Sequence, residues 1–170
     1  MKKVLSILLV VLLCFTLISC NMDTPANGDR DTSSASRRIE QVAKAVTAKD
    51  KEMLKGLFSI YITEDSQIDG HIDDFLEYIN GTVISYEIDE TPVTYDYSEG
   101  EGQRKKLIYW GTLRTDDETY SLFFVDYPID TIDEENEGLH TLRIIRTEKV
   151  DLLEGTTDDW AVPGVYIWDL

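Results

Sequence analysis

Apolar residues recur at helical spacing in the first half of the chain and at strand spacing in the second. Ile39, Val42, Ala43 and Val46 fall at i, i+3, i+4 and i+7, one stripe of an amphipathic helix that Ser34 or Ser36 can cap. Asp50 then stands as N-cap before a short run with Met53, Leu54, Leu57 and Phe58 on one face. Ser59 to Thr63 alternates like a short strand, and Ile68, Ile72, Phe75, Leu76 and Ile79 form a third helical stripe that Asn80-Gly81 stops. Beyond it, Val83 to Ile88 is rich in β-formers, and Thr91 to Gly102, with Pro92 and two glycines, predicts a loop. Lys105 to Arg114 alternates as a strand, Thr115 to Glu118 is a polar turn, and Thr119 to Tyr127 is apolar on both faces, hence central. Pro128 to Gly138 predicts a loop before a last strand, Leu139 to Val150. Three helices followed by four strands predict an α+β fold, N-terminal helices packed on a curved antiparallel sheet.

The chain ahead of these elements has a different pattern. Met1-Lys2-Lys3 is basic, and Val4 to Ile18 is apolar except for Ser6 and Thr16. At 1.5 Å per residue this stretch is too short for the roughly 30 Å core of a bilayer, so it reads as a secretory signal. Leu17-Ile18-Ser19-Cys20 resembles the lipobox of bacterial lipoproteins. That resemblance implies cleavage between Ser19 and Cys20 and a diacylglyceryl group on the Cys20 thiol. The membrane, reached through lipid on Cys20, is then a partner, and the protein is expected on the extracytoplasmic face of a bacterial cell membrane. Asn21 to Ser36 is polar with Pro, Gly and Ser, and predicts a flexible tether spanning roughly 20–24 Å. The expected organisation is a signal peptide over 1–19, a lipidated tether over 20–36, and a single domain over 37–170.

Composition narrows the function classes. The 170 residues carry a formal charge of −17, and loss of Lys2 and Lys3 with the leader would make it more negative still. Such a field repels phosphate backbones, so no nucleic-acid partner is expected. Cys14 would leave with the signal, and the remaining domain would hold neither a disulfide nor a thiol for catalysis or metal ligation. Acidic residues gather in 89–101 and 130–137, without the spacing and sharp glycine turn of a dedicated calcium loop, so the cluster reads as a solvated rim. The sequence has no nucleophile motif, phosphate-binding glycine loop or His-x-x-x-His pair, and no metal or cofactor is expected.

Ala48-Lys49-Asp50-Lys51-Glu52-Met53-Leu54 running to Leu57-Phe58 looks like the opening of cystatin-like, nuclear-transport-factor-two-like domains. Together with Tyr78-Ile79-Asn80-Gly81-Thr82-Val83-Ile84-Ser85-Tyr86, it resembles an uncharacterised family of Gram-positive bacterial lipoproteins assigned to that cone-shaped fold. The resemblance implies a fold and no activity, although relatives of the fold can be isomerases or dehydratases with an Asp or His inside the cone. The candidates for such a base are His140, placed by strand alternation with Leu142 and Ile144, and Asp126 on the central strand. Each also has a structural reading, His140 as a half-buried strand residue and Asp126 as a turn cap. His71 reads as a surface residue. Tyr109, Trp110, Tyr120 and Tyr127 are either core or the lining of a pocket for an apolar or sugar-like ligand. The expected function is therefore a lipid-anchored binding or interaction module without catalysis, its small-molecule or protein partner unidentified. A small isomerase- or dehydratase-type pocket enzyme using His140 or Asp126 is the alternative.

Overall fold

The computed structural model describes residues 27–153 and 162–168. Within them the chain runs through α1 (Asn27–Ala48), α2 (Lys51–Lys55), α3 (Ile60–Thr63) and α4 (Ile68–Tyr78). The strands follow as β1 (Val83–Ile88), β2 (Val93–Glu99), β3 (Gly102–Thr115), β4 (Thr119–Asp130), β5 (Gly138–Arg146) and β6 (Gly164–Ile167). The sheet order is β1-β3-β4-β5-β6, with β2 also paired to β3. β1 lies along residues 111–115 of β3 and β2 along residues 102–108, so the two share one edge. The architecture is α+β, helices on one face of a mixed, curved sheet. The β5–β6 pair is parallel, where the sequence predicts an antiparallel sheet throughout.

The apolar stripe of α1 packs on the sheet, with Ala35, Ile39, Val42, Ala43, Ala45 and Val46 all buried. Gly111 makes the approach close, because a Cβ there would stand 2.6 Å from Ile39 Cδ1. α1 ends at Lys49, which takes φ +50 while the Lys49 and Asp50 amides donate to Val46 and Ala45. Lysine is tolerated in this left-handed position because its Nζ caps the far end of α4, donating to the Leu76 and Ile79 carbonyls. Asp50 caps α2 as expected, its side chain accepting from the Met53 amide at 2.9 Å.

α4 buries Ile68, Ile72, Phe75 and Leu76. Against it stand Leu107, Tyr109 and Leu113 of β3, Tyr120, Leu122 and Phe124 of β4, and Leu142 and Ile144 of β5, in one continuous core. These side chains are buried between the helices and the sheet.

The structure corrects several expectations. Residues 27–36 form the first turns of α1, not a tether, and Ser34 and Ser36 lie inside the helix; residues 21–26 are outside the described part. Asp31 and Ala35 are buried there, so this stretch belongs to the domain. Ser59 to Thr63 is not a strand: Ile60–Thr63 is a helical turn. The strand-like pairing sits just before it, where the Ser59 amide donates to the Leu139 carbonyl at 3.0 Å and the Leu139 amide donates to that of Leu57 at 2.9 Å. Residues 93–99, expected in a loop, form β2; an edge strand needs no buried face, and Val93, Tyr95 and Tyr97 stand exposed. β4 continues to Asp130, and β5 gives way to a 3-10 turn over Thr147–Leu153.

Candidate functional site

Asp126 lies on the helix-facing side of β4, opposite Leu107 of β3 and Leu139 of β5. Both pairings shift register beside it, between Lys105 and Leu107 and between Val125 and Asp126. Asp126 nevertheless follows Tyr120, Leu122 and Phe124 in unbroken alternation, which brings its carboxylate to the underside of α1. Arg38 meets it with a two-point ion pair, Nε to Oδ2 at 3.0 Å and Nη2 to Oδ1 at 2.9 Å. The third guanidinium nitrogen donates to Gln41 Oε1 at 3.3 Å and to the Leu57 carbonyl at 3.5 Å. Asp126 is 1% exposed. Burial pushes its carboxyl above the ordinary value, against the opposing pull of Arg38.

Tyr109 shares the neighbourhood. Its ring stacks on Phe124 at 4.8 Å, and its hydroxyl has no hydrogen-bond partner among the described residues. Burial first and the Asp126 charge second raise this phenol well above its usual range.

The four candidate aromatics do not share a cavity. Tyr109 and Tyr120 belong to the core, and the Tyr120 hydroxyl accepts from the Asn80 amide at 2.9 Å while donating to the Tyr78 carbonyl. Trp110 packs on the opposite face with Phe123 and Trp168. Tyr127 is on that face too, its ring 4.5 Å from His140.

His140 is therefore not on the face of Leu142 and Ile144. Asp126 pairs with Leu139 and Val125 with Thr141, so His140 is the extra residue of the bulge and alternation fails at that point. Its Nε2 lies 3.1 Å from the Asn136 carbonyl, which fixes that nitrogen as the proton donor, and burial lowers its pKa below the usual value. His71, expected on the surface, is half-buried, 5.8 Å from the Tyr166 ring. Ser19 and Cys20 lie outside the described residues.

Asn136 also donates to Asp130 Oδ2 at 2.5 Å, as does Arg104 Nε, while the Ile132 and Asp133 amides bond Oδ1. Burial alone would raise the Asp130 carboxyl, but these hydrogen bonds outweigh it and leave its pKa lowered. Asp130 thereby organises the 130–137 segment.

Two adjoining recesses open beside the Arg38–Asp126 pair. The smaller, about 380 Å³, has Arg38, Gln41, Asp126 and Glu137 on its wall. The larger, about 820 Å³, runs between α1 and the ends of β2, β3 and β4, with Arg30, Arg37, Tyr97, Arg104 and Lys105 among its lining. Ser34, Arg37, Pro128 and Ile129 border both. The sequence reading missed this groove because it placed residues 30–36 in a tether. The signal was present: Arg30, Ser33, Ser34 and Arg37 repeat at helical spacing as a polar stripe.

Among the described residues, no group of three or more His, Cys, Asp or Glu is placed to hold a metal ion, and no helix is long and apolar enough to cross a membrane. No curated protein matches the sequence. The family described as "Domain of unknown function (DUF5104)" matches residues 41–147, a span that includes Asp126 and His140 and begins just after Arg38. By that match, which covers more than half of its length, the chain belongs to this uncharacterised family.

Proposed function

We propose that the chain is a lipid-anchored, extracytoplasmic binding module that captures its ligand without chemical change. The observation that carries this reading is the closure of Asp126. A general base must reach the proton that it removes, and this carboxylate, 1% exposed, has both oxygens engaged by Arg38. The buried apolar cluster beneath the helices supports the same reading, with the open groove beside α1 as the place for a ligand. The helix-then-strand order supports the cystatin-like resemblance, and the apolar leader ending in Leu17-Ile18-Ser19-Cys20 supports the anchor.

One observation favours the enzyme alternative: the Asp126 carboxyl is raised by burial beside an unpartnered Tyr109 hydroxyl. Mass spectrometry of small molecules that co-purify with the full chain tests both readings. A captured compound recovered unchanged is expected. A compound turned over by the wild type and not by Asp126→Asn would replace binding with catalysis. Cys20→Ser should abolish labelling by a palmitate analogue and leave unprocessed precursor; persistent labelling would remove the anchor from the proposal.

A further inference from the structure

The groove beside α1 gathers arginines. The protein carries 16 basic residues against 33 acids, and of its seven arginines Arg30, Arg37 and Arg104 line the larger recess while Arg38 faces the smaller. Asp31 and Asp96 share Lys105, at 2.7 and 3.4 Å, so one cation serves two carboxylates, and Asp29 stands on the exposed first turn of α1. Arg104 gives its Nε to the buried Asp130, also feels the Asp133 charge, and borders the groove with about a third of its side chain exposed, 34%.

Arg30 and Arg37 form no ion pair among the described residues. Seven positions apart on α1, they stand about 10 Å from each other along the helix, with Ser33 and Ser34 between them on the same wall. Two unpaired guanidiniums, each a planar fork of donors, together with hydroxyls suit a ligand rich in charged oxygens. Asp29, Asp96 and Glu137 line the same recesses, but none is within ion-pair distance of Arg30 or Arg37 as Asp126 is of Arg38.

We propose that this groove binds phosphate oxyanions, with Arg30 and Arg37 as the recognising residues and Arg104 contributing from the opposite wall. The proposal rests on the binding-module reading and names the ligand chemistry. A ligand carrying more than one phosphate would engage both arginines of α1 together. The phosphates can belong to a soluble molecule or to a lipid headgroup.

The test uses the full chain in neutral detergent at about 0.15 M salt, titrated with sodium tripolyphosphate and, separately, with phosphatidylglycerol in mixed micelles. Saturable binding of either probe is expected, weakening as salt rises. Arg30→Gln and Arg37→Gln should each raise Kd by about tenfold with the thermal midpoint unchanged. Arg114→Gln, which removes an exposed arginine outside the groove, should leave Kd as it is. Preference for tripolyphosphate identifies a soluble ligand, and preference for the micelles a headgroup. Absence of saturation with both probes, or an equal loss in Arg114→Gln, overturns the phosphate assignment. A non-phosphate compound held equally well by Arg30→Gln and Arg37→Gln overturns that assignment and leaves the module reading standing. Turnover lost in Asp126→Asn with phosphate capture intact supports the groove and overturns the module reading instead.

Discussion

Asp126 is held between opposing demands: burial favours its neutral form and Arg38 its charged form. Removing only Arg38 leaves a buried carboxylate without compensation, so Arg38→Ala should cost about 3–5 kcal/mol in urea denaturation. Replacing both partners, as Arg38→Met with Asp126→Leu, should recover most of that loss. A single-variant cost below about 1 kcal/mol would mean that water reaches the carboxylate. His140 makes a pH prediction. Its folded-state pKa is lowered by burial, so as pH falls below about 6.5 the unfolded chain takes up the proton first. Its stabilising contribution is complete above that pH and is lost on acidification through the folded value. His140→Gln should flatten this part of the stability curve, and an unchanged curve would dissociate His140 from it. Composition and periodicity brought Asp126 and His140 to notice. They missed Arg38, because its partner is 88 positions away, and they put His140 on the wrong face, because a bulge cannot be read from alternation.

Among the elements, α1 shows how a helix acquires residues whose local pattern argues against it. Its first three turns hold serines and aspartates with few apolar positions, and the stabilising contacts come from far along the chain. Asp31 pairs with Lys105 and accepts from Thr94 Oγ1 at 2.9 Å, and Ala35 is fully buried. A chain beginning at Arg37 should therefore lose at least about 2 kcal/mol relative to one beginning at Asn21. Equal thermal midpoints would show that these turns add nothing. The stripes of α1 beyond Ile39 and of α4 and strand β3 were legible because each buries its own periodic face, β4 because it is apolar on both faces, and β1, largely exposed, only through its β-forming residues. β2 was hidden by its charged and polar residues, which an edge strand can leave in water, and α3 because four alternating residues fit a helical turn as well as a strand. The groove was illegible for the reason that α1's beginning was: both walls acquire meaning only when residues 30–37 and 96–105 meet.

For the whole molecule, a charge of −17 works against compactness, since most of its acids share one surface field. Raising sodium chloride from about 0.01 to 0.2 M shrinks the Debye length from roughly 30 Å to under 10 Å. The thermal midpoint should rise, because the repulsion is long-ranged while the Arg38–Asp126 and Lys105–Asp31 pairs are short and sheltered. A falling midpoint would mean that exposed pairs such as Lys51–Asp73 dominate. The parallel strand β6 carries a different consequence, one of timing. It leaves the ribosome after the other five strands, and it covers the edge of β5 through pairs from Thr141 to Ile144, with Val165 sunk into the core. Until then β5 presents an uncovered row of amides and carbonyls flanked by Leu142, Ile144 and Ile145, the kind of edge on which nascent chains recruit one another. A polypeptide interrupted before Gly164 is thus a template for its neighbours and no smaller version of the finished protein.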